Sequence, residues 1–262
     1  MPIVSAQLLD THTQRNELIA KAVKVLEEDE EVKCLLKMSN VMAVTRLGYN
    51  DHGPVHARIV TGTALEIYDI LVRRGIKPTT LKDNITKSID ESKLVVVFGA
   101  YLHDIGNSIH RSMHELVGIL LAKDILDRLL PMVIKEKKSR LCGIRQEILH
   151  TIYSTQYDLK CLTMEAGVVK IADGLDMSEG RARIPYKLGK IDMHSMSALS
   201  VKYVEIKEGK NRPLEVIVEM DDFAGLFQIE EVLLPKIQKS GLEKYIEVIV
   251  YSKGEKLTTY PR

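Results

Sequence analysis

The chain has 262 residues, and its 37 Lys and Arg against 36 Asp and Glu give a net charge of +1, without the basic surplus that usually marks a dedicated nucleic-acid surface. Hydrophobic residues make up 45% of the chain, but no apolar run reaches the roughly 20 residues that span a bilayer, which excludes a membrane class. The three cysteines form no CxxC pair, so a reduced, cytoplasmic setting without a thiolate zinc site is expected.

Apolar residues recur at helical spacing through the first two thirds of the chain. This pattern predicts helices over residues 6–28, 31–47, 54–74, 93–104, 110–136, 139–154 and 163–178. Pro54 is expected to open the third helix, because its missing N–H has no partner in a first turn. Residues 77–92 are polar and lysine-rich, which predicts a surface loop with little order.

The pattern changes near residue 190. Apolar and polar positions alternate over residues 197–208, 213–220 and 242–252, which predicts strands, and residues 223–240 have helical spacing. The predicted fold is mainly α: an all-helical domain over 1–189, followed by a small α+β domain over 190–262. Dimerisation or regulation is the expected role of this second domain, since its strand edges offer a dimer surface.

Several His and Asp residues interrupt apolar segments, where burying an unpaired imidazole or carboxylate costs several kcal/mol. His103 and Asp104 end such a segment, and a helix-end hydrogen-bond pair is their plainer explanation. His56 follows Pro54 in a first helical turn, where the helix dipole disfavours a charged imidazole but not a neutral ligand. His150 lies on a mostly apolar helix, where a satisfied core histidine is the common case.

Four imidazoles and two carboxylates on several helices make up the candidate ligand set: His56, His103, Asp104, His114, His150 and Asp173. Such a mixed nitrogen and oxygen set suits iron, manganese, cobalt, nickel or zinc, whereas magnesium and calcium prefer oxygen ligands. The pattern therefore indicates a divalent transition-metal site.

The order His…His-Asp…His…His…Asp resembles the HD superfamily of metal-dependent phosphohydrolases over about residues 50–187. The segments that carry the resemblance are His56-Ala-Arg-Ile-Val60, Leu102-His-Asp-Ile-Gly106, His114-Glu-Leu-Val-Gly118 and Ile171-Ala-Asp173. Asn107 stands where members that degrade cyclic dinucleotides often have a lysine, which argues against that substrate.

The resemblance implies hydrolysis of a phosphate ester or anhydride by metal-activated hydroxide, with a nucleotide or related phosphorylated small molecule as substrate. It also implies two metal ions that Asp104 bridges. The implied ligands are His56, His103 and Asp173 for one ion, and His114 and His150 for the other. If only one ion binds, His114 and His150 would instead line the substrate pocket.

Five further residues are candidates for the chemistry. His52 or His110 could protonate the leaving group. Lys170 lies one helical turn before the final aspartate and could face the phosphate. Arg181 and Arg183 could clamp phosphate oxygens through their planar guanidinium groups, with ordinary surface charge as the alternative.

Two other functions remain open. A non-enzymatic regulator on the same fold would sense a nucleotide or a metal, and would bind its ligand without turnover. A helical scaffold with incidental histidines would keep its thermal stability when chelators are added.

Overall fold

The computed structural model describes residues 2–177, 197 and 199–261, and these residues form a helical domain and a four-stranded sheet domain. The helices of the first domain are α1 (Gln7–Arg15), α2 (Glu17–Glu28), α3 (Glu30–Asn40), α4 (Pro54–Arg73), α5 (Thr79–Lys82), α6 (Ile89–Leu102), α7 (His114–Val133), α8 (Lys138–Tyr153) and α9 (Met164–Leu175). A π-helical segment (Val41–Arg46) extends α3. The predicted fold class, mainly helical with a small α+β domain at the end, is confirmed.

The helix boundaries differ from the prediction in several places, and α7 begins at His114 rather than at residue 110. Residues 6–28 form two helices, because Asn16 has an extended backbone and its side chain accepts hydrogen bonds from the first N–H groups of α2. Residues 77–92 are not a loose surface loop, since they hold α5 and the start of α6. Buried Glu165 ties this segment down, because its Oε1 atom accepts hydrogen bonds from Thr80 Oγ1 at 2.7 Å and Ser92 Oγ at 2.8 Å.

Helix α6 is the centre of the helical domain. Every residue from 94 to 108 is buried, and the helix packs on α2, α4, α8 and α9. A helix that is apolar on all sides must be surrounded, and this explains why the run beginning at Leu94 is helical although its valines also suit a strand. The polar residues that follow α6 are thereby held deep inside the protein.

The second domain is a sheet of four strands in the order β1 (Val201–Glu208), β2 (Leu214–Met220), β3 (Ile246–Ser252) and β4 (Glu255–Tyr260). The pairs β1–β2 and β3–β4 are antiparallel, and β2–β3 is parallel. The parallel pair is connected through α10 (Leu234–Lys239). The three predicted strands are present, but β1 and β3 begin later than predicted, because residues 197, 199 and 200 are helical and Glu243–Tyr245 form a short 3-10 helix. Strand β4 is an addition, joined to β3 by a tight turn in which Lys253 and Gly254 have positive φ.

Both ends of the helical domain touch the sheet domain. Near the N-terminus, Val4 N donates to Val204 O at 2.9 Å, and Ile206 N donates to Pro2 O at 3.0 Å, so residues 2–4 extend the sheet beside β1. At the other end α10 packs on α9. This second contact brings α10 to the place where the candidate ligands converge. None of the helices in residues 2–177 and 199–261 has both the length and the apolar character that crossing a membrane requires.

Candidate metal centre

Three helix ends bring four of the predicted ligands together. His56 lies in the first turn of α4, His103 and Asp104 directly follow α6, and Asp173 lies in the last turn of α9. The C-terminal ends of α6 and α9 carry partial negative charge from their unpaired carbonyl groups. Two such ends beside two carboxylates favour a bound cation.

Five separations between atoms of these four residues lie between 3.3 and 3.8 Å. His56 Nε2 is 3.3 Å from His103 Nε2, and it is also 3.3 Å from Asp104 Oδ2 and from Asp173 Oδ1. His103 Nε2 is 3.4 Å from Asp104 Oδ2 and 3.8 Å from Asp173 Oδ1. Donors that share one ion at bonds of about 2.1 Å are separated by roughly 3.0–3.5 Å. His56, His103 and Asp173 therefore form one set that could hold an ion, and Asp104 Oδ2 lies close enough to both histidines to be a fourth candidate ligand.

The tautomers of the two histidines support the same conclusion. His103 Nδ1 donates to the carbonyl of Ala100 at 2.7 Å, and His56 Nδ1 lies 2.6 Å from Asp176 Oδ2. Each Nδ1 atom therefore carries a proton, and the Nε2 atom of each ring faces the other ring and the carboxylates, where it would be the ligand atom for a bound ion. This second partner on Nδ1 is also the usual way in which a protein orients a ligand histidine.

The charges of the two carboxylates suit this role. Burial opposes the ionisation of Asp104, but the imidazoles of His103 and His52 hold the pKa of its carboxyl well below the usual value. Burial also opposes the ionisation of Asp173, and the ammonium group of Lys236 holds the pKa of this carboxyl well below its usual value. Both groups are therefore carboxylates at neutral pH and can act as anionic ligands.

Two side chains that the sequence analysis did not single out as site residues hold the ligands in position. Asp176 orients His56, and Asn107 Nδ2 donates to Asp104 Oδ1 at 2.8 Å. Asp176 could have been noticed as a second acidic residue three positions after Asp173, although it follows the last residue of α9. The role of Asn107 could not be read from the sequence. An asparagine three positions after Asp104 does not by itself indicate that its amide donates to that carboxylate.

Gly106 allows α7 to approach the His-Asp pair closely. A Cβ atom built on Gly106 would lie 1.9 Å from the carbonyl oxygen of His114, so any other residue would force the two segments apart. The contact brings His114 Nε2 to 3.4 Å from Asp104 Oδ1. His114 Nδ1 donates to the Arg111 carbonyl at 3.0 Å, and its Nε2 atom faces the Arg111 guanidinium at 3.3 Å. The lone pair of His114 is therefore directed at an arginine.

His52 lies on the other side of Asp104. Its Nδ1 atom is 2.6 Å from Asp104 Oδ2, and its backbone N–H donates to Asn40 Oδ1 at 2.8 Å. Asn40 also fills the space beside Gly53, where a Cβ atom would lie 2.4 Å from the Asn40 amide nitrogen. His52, His56 and Asp104 could form a second set of three ligands. The loop before α4 thus places a further buried imidazole against Asp104, beside those of His56, His103 and His114.

A cavity of about 600 Å³ opens onto these groups. Its lining comes from both domains and includes Asp104 and Asp173 of the first and Phe227, Glu231 and Lys236 of the second. This volume is in the range that accommodates a small organic ligand.

Three predicted residues lie elsewhere. His110 is exposed, and its Nδ1 atom accepts a hydrogen bond from Ser112 N at 2.9 Å. His150 Nε2 accepts from Leu162 N at 3.3 Å, and His150 is not among the residues that line the cavity. Lys170 also lies outside this lining, because its buried ammonium donates to three backbone carbonyls rather than facing a substrate. The predicted phosphate clamp, Arg181 and Arg183, lies outside the described residues.

Comparisons with known proteins agree with this geometry. The model of the HD domain family matches residues 56–178. The uncharacterized protein MJ1020 of Methanocaldococcus jannaschii is 46% identical over 231 residues, which cover 88% of this chain and 87% of that protein. The chain therefore belongs to the HD domain family. No solved structure matched the chain.

Proposed function

We propose that this protein is a metal-dependent phosphohydrolase that cleaves a phosphate ester or anhydride of a nucleotide or related phosphorylated small molecule. The observation that carries the proposal is the convergence of four lone-pair donors, from His56, His103, Asp104 and Asp173, at a cavity of ligand size. Iron, manganese, cobalt, nickel and zinc all suit two imidazoles and two carboxylates.

The ion, when bound by these four residues, supplies a Lewis acid and makes water a nucleophile near neutral pH. Asp104 would bind the ion through Oδ2, and the same oxygen is in hydrogen-bond contact with His52 Nδ1. A neighbouring carboxylate favours the imidazolium form of a histidine. His52 can therefore keep its proton on Nδ1 and release the Nε2 proton to the departing oxygen.

Two contacts support the proposal of one ion rather than two. The predicted second ion required His114 and His150, but the Nε2 atom of His114 faces Arg111 and His150 accepts a hydrogen bond from Leu162 N. We therefore propose a single ion in the set of four donors, with His114 in the wall of the cavity as in the one-ion alternative.

The test is a hydrolysis assay with nucleotides, dinucleoside polyphosphates and cyclic dinucleotides, each supplied with manganese, iron, cobalt or nickel. Wild-type protein should hydrolyse at least one substrate class and lose activity in EDTA. Asp104→Ala should lose both metal and activity, whereas exposed Asp158→Ala, purified in parallel, should lose neither. A folded Asp104→Ala protein that kept its metal and its activity would contradict the proposal.

The alternative is a non-enzymatic sensor of nucleotides or metal ions. One observation favours it: Lys236 of the sheet domain pairs with the ligand Asp173, so the second domain contacts the centre. A sensor would bind metal and nucleotide in this assay without turning over any substrate.

A further inference from the structure

We propose that Arg111 and Lys236 together bind the phosphoryl group of the substrate, so that the sheet domain completes the active site. The two cations lie in the wall of the same cavity, Arg111 beside Asp104 and Lys236 beside Asp173. This inference rests on the proposed function, because it names how that site would hold its substrate.

Arg111 is held in place by Asn107 and His114. Its Nη1 atom donates to Asn107 Oδ1 at 3.2 Å and lies 3.3 Å from His114 Nε2. Among the described residues, Arg111 pairs with one carboxylate oxygen, Asp104 Oδ1, which lies 4.0 Å from its Nη1 atom. Both close contacts use Nη1, so the rest of the guanidinium fork remains for a bidentate contact with an anion. The side chain is 39% exposed and can meet a ligand that enters the cavity.

Lys236 reaches the site from the second domain. Its ammonium pairs with Asp173 Oδ2, while Asp173 Oδ1 faces His56 and His103. The stem of the lysine lies over α9, where a Cβ atom on Gly174 would be 3.1 Å from Lys236 Cδ. An ammonium has three donors, and the carboxylate of Asp173 requires only one of them. Lys236 can therefore hold Asp173 and still donate to a bound anion.

The arrangement suits a phosphoryl group. Preorganised cations are most effective where negative charge develops on the oxygens of a transferring phosphoryl group. Arg111 and Lys236 flank the two carboxylate ligands, and neither is a member of the donor set, although Lys236 donates to Asp173 Oδ2. Lys236 also lies outside residues 56–178, the part of the chain that the family model matches. The sheet domain thus contributes a charge that the helical domain does not provide.

The test measures binding of inorganic phosphate to metal-loaded protein by calorimetry, beside the metal content and the KM of any hydrolysed substrate. The variants are Arg111→Gln, Lys236→Met and Lys236→Arg. Lys239→Met, an exposed change on the same helix as Lys236, is the matched control. Arg111→Gln and Lys236→Met should each weaken phosphate binding at least about tenfold at unchanged metal content. Lys236→Arg should recover most of this loss, and Lys239→Met should match the wild type.

Two results would overturn the inference. The first is a phosphate affinity within twofold of wild type in folded, metal-loaded Arg111→Gln and Lys236→Met. The second is loss of metal in Lys236→Met and in Lys236→Arg, which would make Lys236 a partner of Asp173 alone. The proposed function fails separately, if wild-type protein binds phosphate through these residues but hydrolyses no member of the substrate panel.

Discussion

Asp176 Oδ2 lies 2.6 Å from the Nδ1 atom of His56, which is 120 residues earlier in the chain. Since the opposite nitrogen of His56 faces the donor set, this contact fixes both the orientation of the ring and the position of its proton. The role of Asp176 is therefore to orient a ligand, and its effect should differ in size from that of the ligand Asp173.

Asp176→Ala should weaken metal binding about 10- to 100-fold, because His56 loses the acceptor that holds its tautomer. Asp173→Ala should remove binding almost completely, since it deletes a ligand. Competition with a chelator of known affinity measures both effects, and Asp158→Ala serves as an exposed control. If Asp176→Ala bound metal as tightly as wild type, the assigned role would be incorrect.

Gly106→Ala should destabilise the protein by about 1–3 kcal/mol or more, because the added methyl group would overlap the His114 carbonyl. Gly143→Ala is the matched control. The nearest atom to a Cβ there is 3.6 Å away, and alanine should stabilise α8 by about 0.5–1 kcal/mol. Denaturant unfolding of both variants checks the prediction. Equal stability changes in the two variants would show that the close approach of α7 is not required.

Lys170→Met should cost about 1–3 kcal/mol of stability, while the folded protein keeps its metal and its activity. The ammonium donates to the carbonyls of Ser154, Gln156 and Leu159 at 3.1, 2.7 and 2.6 Å. It therefore provides hydrogen-bond donors for backbone carbonyl groups in the segment that follows α8. Exposed Lys160→Met is the control for the loss of one positive charge. A large fall in kcat at unchanged stability would instead support the sequence-based hypothesis that Lys170 faces the phosphate.

His150→Gln should leave the metal content at one ion per chain, because Nε2 of His150 accepts a hydrogen bond from Leu162 N. Elemental analysis of the loaded wild type and variant measures the ratio. His103→Gln, which removes a ligand of the proposed ion, should reduce the content to near zero. Two ions in wild type and one in His150→Gln would restore the two-ion hypothesis.

The sequence predicted the parts of this protein that depend on local patterns. Helix α6 follows from its continuous apolar run, and His103 and Asp104 follow from the cost of burying polar groups at its end. The strand β4 was missed because its first three residues, Glu255, Lys256 and Leu257, are all exposed, so it shows no alternating buried apolar face. The sequence feature that could have indicated this hairpin is Gly254, which follows Lys253 in the tight turn between β3 and β4.

The sequence indicates that a buried polar residue needs a partner, but it does not identify that partner. Lys170 is the clearest case, since three backbone carbonyls satisfy it and carbonyls have no sequence signature. Lys236 is the opposite case: an ordinary lysine on an amphipathic helix becomes part of the centre only through the packing of α10 on α9. Contacts between domains of this kind are set by tertiary packing, which a local pattern does not record.

The central claim is that one divalent ion binds among four named atoms, and anomalous diffraction tests it most directly. Crystals grown with Co²⁺ and measured at the cobalt absorption edge should show one strong peak per chain. The account predicts this peak between His56 Nε2, His103 Nε2, Asp104 Oδ2 and Asp173 Oδ1. A peak at another position, or none among these atoms at saturating cobalt, would contradict it.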